Sequence, residues 1–332
     1  MSGPTLVLPV QDASQVGSAR RTAVAEAERL GADEERVGKV ALVVTELATN
    51  LVRHAGGGEI LFRVADPADP TVELVALDRG RGMASVEHAL VDGYSSGGTR
   101  GAGLGAVRRI ADQCDIFSAP GAGTAVLVRC RLEPGGPLPF VPVAGLSVPK
   151  PGETACGDAW SWTAGPDGWS VLVADGLGHG PGAAAASAEA LRIFRQHAHR
   201  PPADIVAEAH TALRHTRGAA LGIAELRGTQ LSFTGVGNIG GVILSADGTR
   251  SLVSHAGIVG HECRKIQTFP YGWSSDSRLV LFSDGLQTRW TLDRYPALRL
   301  RDPALLAAVL YRDFARGRDD VTVVAARAVE PA

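Results

Sequence analysis

Val173-Ala174-Asp175-Gly176-Leu177-Gly178-His179-Gly180 is the stretch on which the reading of this sequence turns. The apolar run Ser170–Ala174 leads into it and predicts a strand. Three closely spaced glycines then predict a turn. A helical pattern follows over Ala183–Ala198. An aspartate therefore stands where a strand ends and a helix is about to begin. Alone it reads as an ordinary turn residue. Three other places repeat the arrangement: Gly157-Asp158-Ala159-Trp160 begins a strand, Leu281-Phe282-Ser283-Asp284-Gly285 ends one, and Arg318-Asp319-Asp320-Val321-Thr322 begins the last. Two like charges about 4 Å apart repel by roughly 4 kcal/mol at an effective dielectric of about 20. If the fold gathers these acids, cations must hold them. Hard divalent ions with oxygen ligands, Mg²⁺ or Mn²⁺, fit that demand. Two such ions about 3.5–4 Å apart activate a water and clamp a phosphate.

Working outward, further strands are predicted at Val141–Val148, Gly222–Leu226, Gln230–Thr234, Gly241–Leu244, Leu279–Phe282 and Val321–Ala326. Helices fit Ala203–Arg214 and Pro303–Phe314. Many strands with clustered helices predict α+β layers rather than a doubly wound parallel sheet. Together with Gly235-Val236-Gly237-Asn238-Ile239, the acidic motifs resemble the SpoIIE/RsbX branch of the PPM-type serine/threonine phosphatases, over about residues 143–328. The resemblance implies a PPM-type α-β-β-α sandwich and two Mn²⁺ or Mg²⁺ ions. It makes Asp158, Asp175, Asp284 and Asp319 the metal ligands, with the backbone carbonyl of Gly176, and centres catalysis on Asp175 and Asp319. Asp320 then stands behind the ligands, and Asn238 fixes a turn near the site. His179 is left as an acid, a phosphate contact or a structural turn residue. One departure matters. Many phosphatases of the broader family carry an arginine near the start that grips phosphate. Here Gly145-Leu146-Ser147-Val148-Pro149-Lys150 has none, which leaves metal and water, or Lys150.

The first half opens with a predicted strand, Thr5–Val10, and a helix over about Ser14–Leu30. A second helix is predicted from about Asp33 to His54, with Val37, Val40, Ala41, Val44, Leu47, Ala48 and Leu51 as its apolar stripe. Glu46, Asn50 and His54 form one row at i, i+4, i+8. On this helix alone the row reads as a solvated polar face. Strands follow at Glu59–Val64 and Thr71–Leu77, then a glycine-rich loop over Gly93–Gly103, a helix from near Leu104, and strands at Asp115–Ser118 and Thr124–Arg131. Asp78-Arg79-Gly80-Arg81-Gly82 ends a strand, and Gly101-Ala102-Gly103-Leu104-Gly105 opens a helix. Glycines there let backbone N–H groups approach phosphate oxygens, and a helix N-terminus favours the anion.

In this order the motifs resemble the GHKL ATP-binding fold, over about residues 1–132. The stretches Thr-Glu-Leu-Ala-Thr-Asn-Leu-Val-Arg-His-Ala (45–55) and Gly-Ala-Gly-Leu-Gly-Ala-Val-Arg-Arg-Ile-Ala-Asp (101–112) are similar to the RsbT-like anti-sigma-factor serine kinases. The resemblance implies a GHKL (Bergerat) α/β sandwich binding ATP with Mg²⁺. Asn50 would hold the Mg²⁺, and Asp78 would bind the adenine amino group. Gly80, Gly82, Gly101, Gly103, Leu104 and Gly105 would shape the pocket. Glu46 would be the general base on a substrate serine, consistent with the needs of phosphoryl transfer. The implied substrate is a small STAS-domain protein of anti-sigma-antagonist or stressosome type. No dimerisation helix with a phospho-acceptor histidine precedes the domain, which argues against a sensor histidine kinase.

The bulk numbers agree with two domains. The chain has 332 residues, 45% of them apolar and 20% charged, with a formal net charge of −2, so each half can bury a core. That charge argues against nucleic acid or an anionic membrane as the main partner. No apolar run reaches the roughly 20 residues of a membrane span, and the N-terminus lacks a basic region followed by an apolar stretch. Cys114, Cys130, Cys156 and Cys263 form no Cys-x-x-Cys pair, so a zinc site and a disulfide framework are not expected and a reduced cytoplasm fits. The domains are expected at 1–132 and 143–332, joined by the Pro/Gly-rich linker 133–142. Three functions follow: a bifunctional kinase–phosphatase of a partner-switching system, a phosphatase gated by a nucleotide-binding module without kinase output, or a scaffold with neither activity.

Overall fold

The computed structural model describes residues 5–66, 70–90, 103–133 and 135–329. It divides into two units. The first comprises Met1–Pro139 together with Thr291–Val309, and the second Phe140–Trp290 together with Leu310–Ala332.

In the first unit, two aspartates start the long helices. Asp12 caps α1 (Ala13–Arg29) by accepting the Ser14 N–H at 2.8 Å. Asp33 caps α2 (Glu34–Asn50) by accepting the Arg36 N–H at 2.8 Å, with Glu34 and Glu35 favourably placed in the first turn. Strands β1 (Leu6–Val10), β2 (Gly58–Asp66), β3 (Thr71–Leu77), β4 (Gln113–Ser118) and β5 (Thr124–Arg131) form one sheet. Its order is β1-β2-β3-β5-β4, antiparallel throughout. Val40, Val43, Val44 and Leu47 of α2 bury against Ile60, Leu74, Ala76, Val126 and Val128 of the sheet. The apolar stripe thus clamps α2 on one face. Short α3 (Val86–Ala89) and α4 (Gly103–Ile110) complete the unit's helices up to residue 139 among the described residues. The regular helix expected to reach His54 stops at Asn50. Leu51–Ala55 forms a single π-helical turn, ended by Gly56 at φ 74°.

The opposite sheet face is also covered. Strand β3 is buried along its whole length, although its sequence, Thr-Val-Glu-Leu-Val-Ala-Leu, places Glu73 inside it. Arg63 and Arg129 both bond to Glu73, and Arg129 bonds through Nη1 and Nη2 to Asp302 at 2.8 and 2.9 Å. The Phe117 ring lies 6.3 Å from that of Tyr295. Tyr295 and Asp302 come from Thr291–Val309, a segment that local patterning places with 143–332 and that the structure counts with the first unit.

The second unit stacks two sheets. Strands β6 (Val143–Val148), β7 (Asp158–Gly165), β8 (Gly168–Gly176), β9 (Ala219–Arg227), β10 (Gln230–Val236), β11 (Gly240–Ser245), β12 (Gly248–Ser251), β13 (Ser254–His255), β14 (Phe269–Gly272), β15 (Arg278–Phe282) and β16 (Val321–Arg327) belong to it. One sheet runs β13-β10-β9-β8-β7, with β14 also on β10; the other runs β12-β11-β15-β16-β6. Between them Trp160, Trp169, Val171 and Phe233 meet Ile243, Leu279, Leu281 and Val324. Helices α5 (Pro181–His197) and α6 (Pro202–Ala212) cover the outer face of the first of these sheets, where Phe194 and Ile205 pack with Leu172, Leu221 and Ile223. The final helix, α7 (Pro303–Phe314), is buried along most of its length. This is the layered α+β arrangement expected from the strand count, not a doubly wound parallel sheet.

Candidate functional site

Two sites emerge, one in each unit. In the first, burial of the α2 stripe turns Glu46 and Asn50 toward a cavity of about 610 Å³. Asp78 stands just past the end of β3. Its N–H donates to the Thr124 carbonyl at 3.0 Å, and its Oδ1 accepts from the N–H groups of Gly80 and Thr124 at 2.7 and 3.1 Å. These bonds fix the carboxylate in the cavity wall. Gly80, Gly82, Gly103 and Leu104 line the same cavity. The structure therefore brings together Glu46, Asn50, Asp78 and four of the six pocket residues implied by the motifs. Gly101 lies outside the described residues, as does most of the Gly93–Gly103 loop. Gly105 lies on α4 and is not part of the cavity wall.

The wall also contains Thr49, Arg53, His54, Arg81, His88 and Thr124, all but one of which local sequence reasoning passed over. His54 was visible in the helical row. Thr124 reaches Asp78 only through the pairing of β3 with β5, which leaves no local signal. Among the described residues, the Asn50 amide nitrogen is buried with no hydrogen-bond partner. Such a donor costs about 1–3 kcal/mol unless a ligand accepts from it. This wall of mixed apolar and polar groups, with an unpartnered amide aimed into it, fits a nucleotide with its Mg²⁺.

The second site is built on strand pairing. Asp158 opens β7 directly opposite Asp175 near the end of β8. Ser283 donates its hydroxyl to Asp158 Oδ2 at 2.5 Å. Asp284 follows β15, and Asn238 donates its amide N–H to Asp284 Oδ2 at 2.8 Å. Asp320 is 3% exposed, and both its oxygens are used: Oδ1 accepts the Lys150 N–H at 2.8 Å, and Oδ2 the Gly157 N–H at 2.9 Å. Asp319 is exposed, and its Oδ1 accepts the Asp320 N–H at 3.0 Å. Gly285 explains how two acidic motifs close on each other. A Cβ there would lie 1.9 Å from the Asp320 carbonyl oxygen, so only glycine lets the two loops touch.

Electrostatics reports the same convergence. Burial pushes the Asp158 carboxyl well up, and the neighbouring Asp175 charge adds to it. Burial also lifts Asp175, with the charges of Asp284, Asp319 and Asp320 adding, to about 7. Among the described residues no three His, Cys, Asp or Glu side chains already close on one point as a metal cage. The carboxylates instead lean on Ser283, Asn238 and backbone N–H groups. Their chemistry, all hard oxygen and all anionic, nonetheless fits a hard divalent ion such as Mg²⁺ or Mn²⁺. His179 lies at the edge, with Nδ1 2.7 Å from Glu153 Oε1.

Comparison with known proteins follows this division. The family HATPase_c_2, "Histidine kinase-like ATPase domain", matches residues 9–130, and the family SpoIIE, "Stage II sporulation protein E", matches residues 165–329. The chain belongs to the first family in its N-terminal half and to the second in its C-terminal half. The histidine kinase-like ATPase half is similar to the serine/threonine-protein kinase RsbT of Bacillus subtilis (strain 168). They are 33% identical over 101 residues, 30% of this chain and 76% of RsbT. The SpoIIE half is similar to the phosphoserine phosphatase RsbX of the same organism, at 27% identity over 140 residues, 41% of this chain and 70% of RsbX. A solved structure described as "The bacterial stressosome: a modular system that has been adapted to control secondary messenger signaling" superposes with a TM-score of 0.54 and 27% identity. It covers 57% of this chain and 100% of its own. The fold is therefore a GHKL-like domain joined to a PPM-type serine/threonine phosphatase domain. No helix among the described residues is long and apolar enough to cross a membrane.

Proposed function

We propose that the SpoIIE half removes phosphate from a phosphoserine on a STAS-domain protein, and that the ATPase-like half binds Mg-ATP and phosphorylates a serine on the same or a related partner. The pairing of Asp158 with Asp175, under the charges of Asp284, Asp319 and Asp320, carries this reading. Burying like charges together is costly, and a protein that needed only a fold would replace them. Two Mn²⁺ or Mg²⁺ ions, when bound, supply the activated water and neutralise the phosphoryl oxygens. Asp158, Asp175, Asp284, Asp319 and the Gly176 carbonyl would hold them. Ser283 orients Asp158, and Asn238 orients Asp284. Asp320 fastens the Gly157 and Lys150 backbones, and so sets where Asp158 begins its strand.

In the ATPase-like half, Asp78 would hold the base and the cavity glycines the phosphates. Glu46 lies one helical turn from Asn50, where it can take the proton of an incoming serine hydroxyl. The similarity to RsbT and RsbX supports a partner-switching pair of activities in one chain.

The test is Mn²⁺-dependent release of phosphate from a phosphoserine STAS protein, run beside transfer of label from γ-labelled ATP to the unphosphorylated protein. Both activities are expected. Glu46→Ala should lower transfer by roughly a hundredfold or more while ATP still binds. ATP binding with no transfer by the wild type would leave the first half as a gate on the phosphatase. No metal-dependent phosphate release would remove the phosphatase reading.

A further inference from the structure

The first strand of the second unit offers no arginine for the phosphate, and Lys150 is committed there through its backbone, its N–H donating to Asp320 and its carbonyl accepting from Glu153. A different cation is placed beside the site. Arg217 lies in the turn that leads into β9, whose Ala219 and Ala220 pair with Gly176 and Asp175. The Gly218 carbonyl accepts the Leu177 N–H at 3.0 Å, which ties this turn to the loop after Asp175. The guanidinium is laid against that loop. A Cβ on Gly182 would lie 2.7 Å from Arg217 Nε, and one on Gly178 would lie 3.2 Å from Nη1. Gly178 in turn reaches the acids: a Cβ on Gly157 would lie 3.4 Å from the Gly178 carbonyl and 2.7 Å from Asp320 Oδ2. One strand of backbone thus separates the guanidinium from the acidic cluster.

Arg217 is exposed and, among the described residues, makes no hydrogen bond or ion pair. Packed against Gly178 and Gly182, the Arg217 guanidinium turns onto none of the site's carboxylates. Here Asp320 is already occupied by two backbone N–H groups, and Asp284 is held by Asn238. The guanidinium therefore keeps its planar, five-donor fork for something else. That fork matches the oxygens of a phosphate monoester.

We propose that Arg217 grips the phosphoryl group of the phosphoserine substrate, in place of the arginine missing from the first strand; the proposal rests on the phosphatase reading of this half. Arg217 would hold phosphoryl oxygens from the outer side, opposite the acid-bound ions. It would then set substrate affinity more than the rate of the bound complex.

The test uses the full chain loaded with Mn²⁺. Inorganic phosphate binding is measured by calorimetry, and hydrolysis of p-nitrophenyl phosphate by steady-state kinetics, for the wild type, Arg217→Lys and Arg217→Ala. Arg217→Ala should weaken phosphate binding and raise KM by roughly tenfold or more. Mn²⁺ affinity and kcat should change little, and Arg217→Lys should fall between. Unchanged Mn²⁺ affinity shows that the variant is folded. Phosphate affinity and KM within twofold of the wild type would overturn the proposal, as would a wild type that binds no phosphate. If the wild type binds phosphate but hydrolyses nothing, the phosphatase reading fails, and the binding comparison still decides whether Arg217 is an anion contact.

Discussion

Each unit buries a cluster of charges, and the two clusters are opposites. In the first, Glu73 is 2% exposed between Arg63 and Arg129, and Arg129 continues to Asp302. Burial alone would push Glu73 up, but the two guanidiniums overcome it and hold the carboxyl at about 2. In the second, buried Asp158 and half-buried Asp175 lie against more acid, and burial with like charge lifts Asp175 to about 7. One cluster is complete within the protein. The other becomes complete only with cations from outside. Charge balance, rather than burial, separates a structural polar network from a candidate catalytic one.

The largest effect that would break this contrast is on the acidic side. Asp175→Asn should lower Mn²⁺-dependent phosphatase activity at least about a thousandfold, since the ligand charge is lost. The same change should raise the melting temperature of the metal-free protein at pH 8, because a buried repulsion is removed. A variant that loses activity and also melts lower would mean that Asp175 is a structural acid after all. Next comes the balanced cluster. Arg129→Ala strands Glu73 and Asp302 without their shared partner and should cost about 3–5 kcal/mol in denaturant unfolding. A loss under 1 kcal/mol would put that network on the same footing as a surface ion pair.

The smallest effect sharpens the acidic side by pH. An unfolded aspartate gives up its proton near 3.8, whereas Asp175 in the fold does so near 7. Between these values the folded protein keeps a proton that the unfolded chain has shed. The metal-free protein should therefore lose stability as pH rises through that window. Mn²⁺ competes with the same proton, so its affinity should rise with pH and level off above about 7, by up to about tenfold per pH unit for each proton displaced. Calorimetry at pH 6 and pH 8, in two buffers of different ionisation enthalpy, measures both the affinity change and the protons released. Equal affinities at the two pH values would show that Asp175 does not share its site with the metal.

Much of this was legible locally. Thr71–Leu77, Thr124–Arg131 and Pro303–Phe314 form where the pattern predicts them, because their apolar spacing alone decides the local period. The acidic motifs stood out for a similar reason: each aspartate interrupts a strand boundary. What escaped reading depends on contacts between distant residues. Arg129 meets Asp302 across 173 positions, and the only hint of their network is a glutamate set in the apolar run of β3. Thr124 enters the cavity of the first unit through a neighbouring strand. Arg217 sits in an exposed turn with no motif around it, and only the packing of Gly178 and Gly182 gives it a position. Asp319 and Asp320 are adjacent, and only the resemblance separated their roles; hydrogen bonding distinguishes them, since both Asp320 oxygens accept backbone N–H groups of distant residues while Asp319 accepts only that of its neighbour.

The assignment of Thr291–Val309 to the first unit has a consequence for synthesis on the ribosome. A domain that ends where it seems to end, near Pro139, would fold as soon as it cleared the exit tunnel. Here Glu73 and Arg129 wait for Asp302 before their charges balance. At about 5–20 residues per second, that wait lasts on the order of ten seconds or more. During it most of the second unit is already being made, so the N-terminal domain begins folding long before the chain that completes it has emerged.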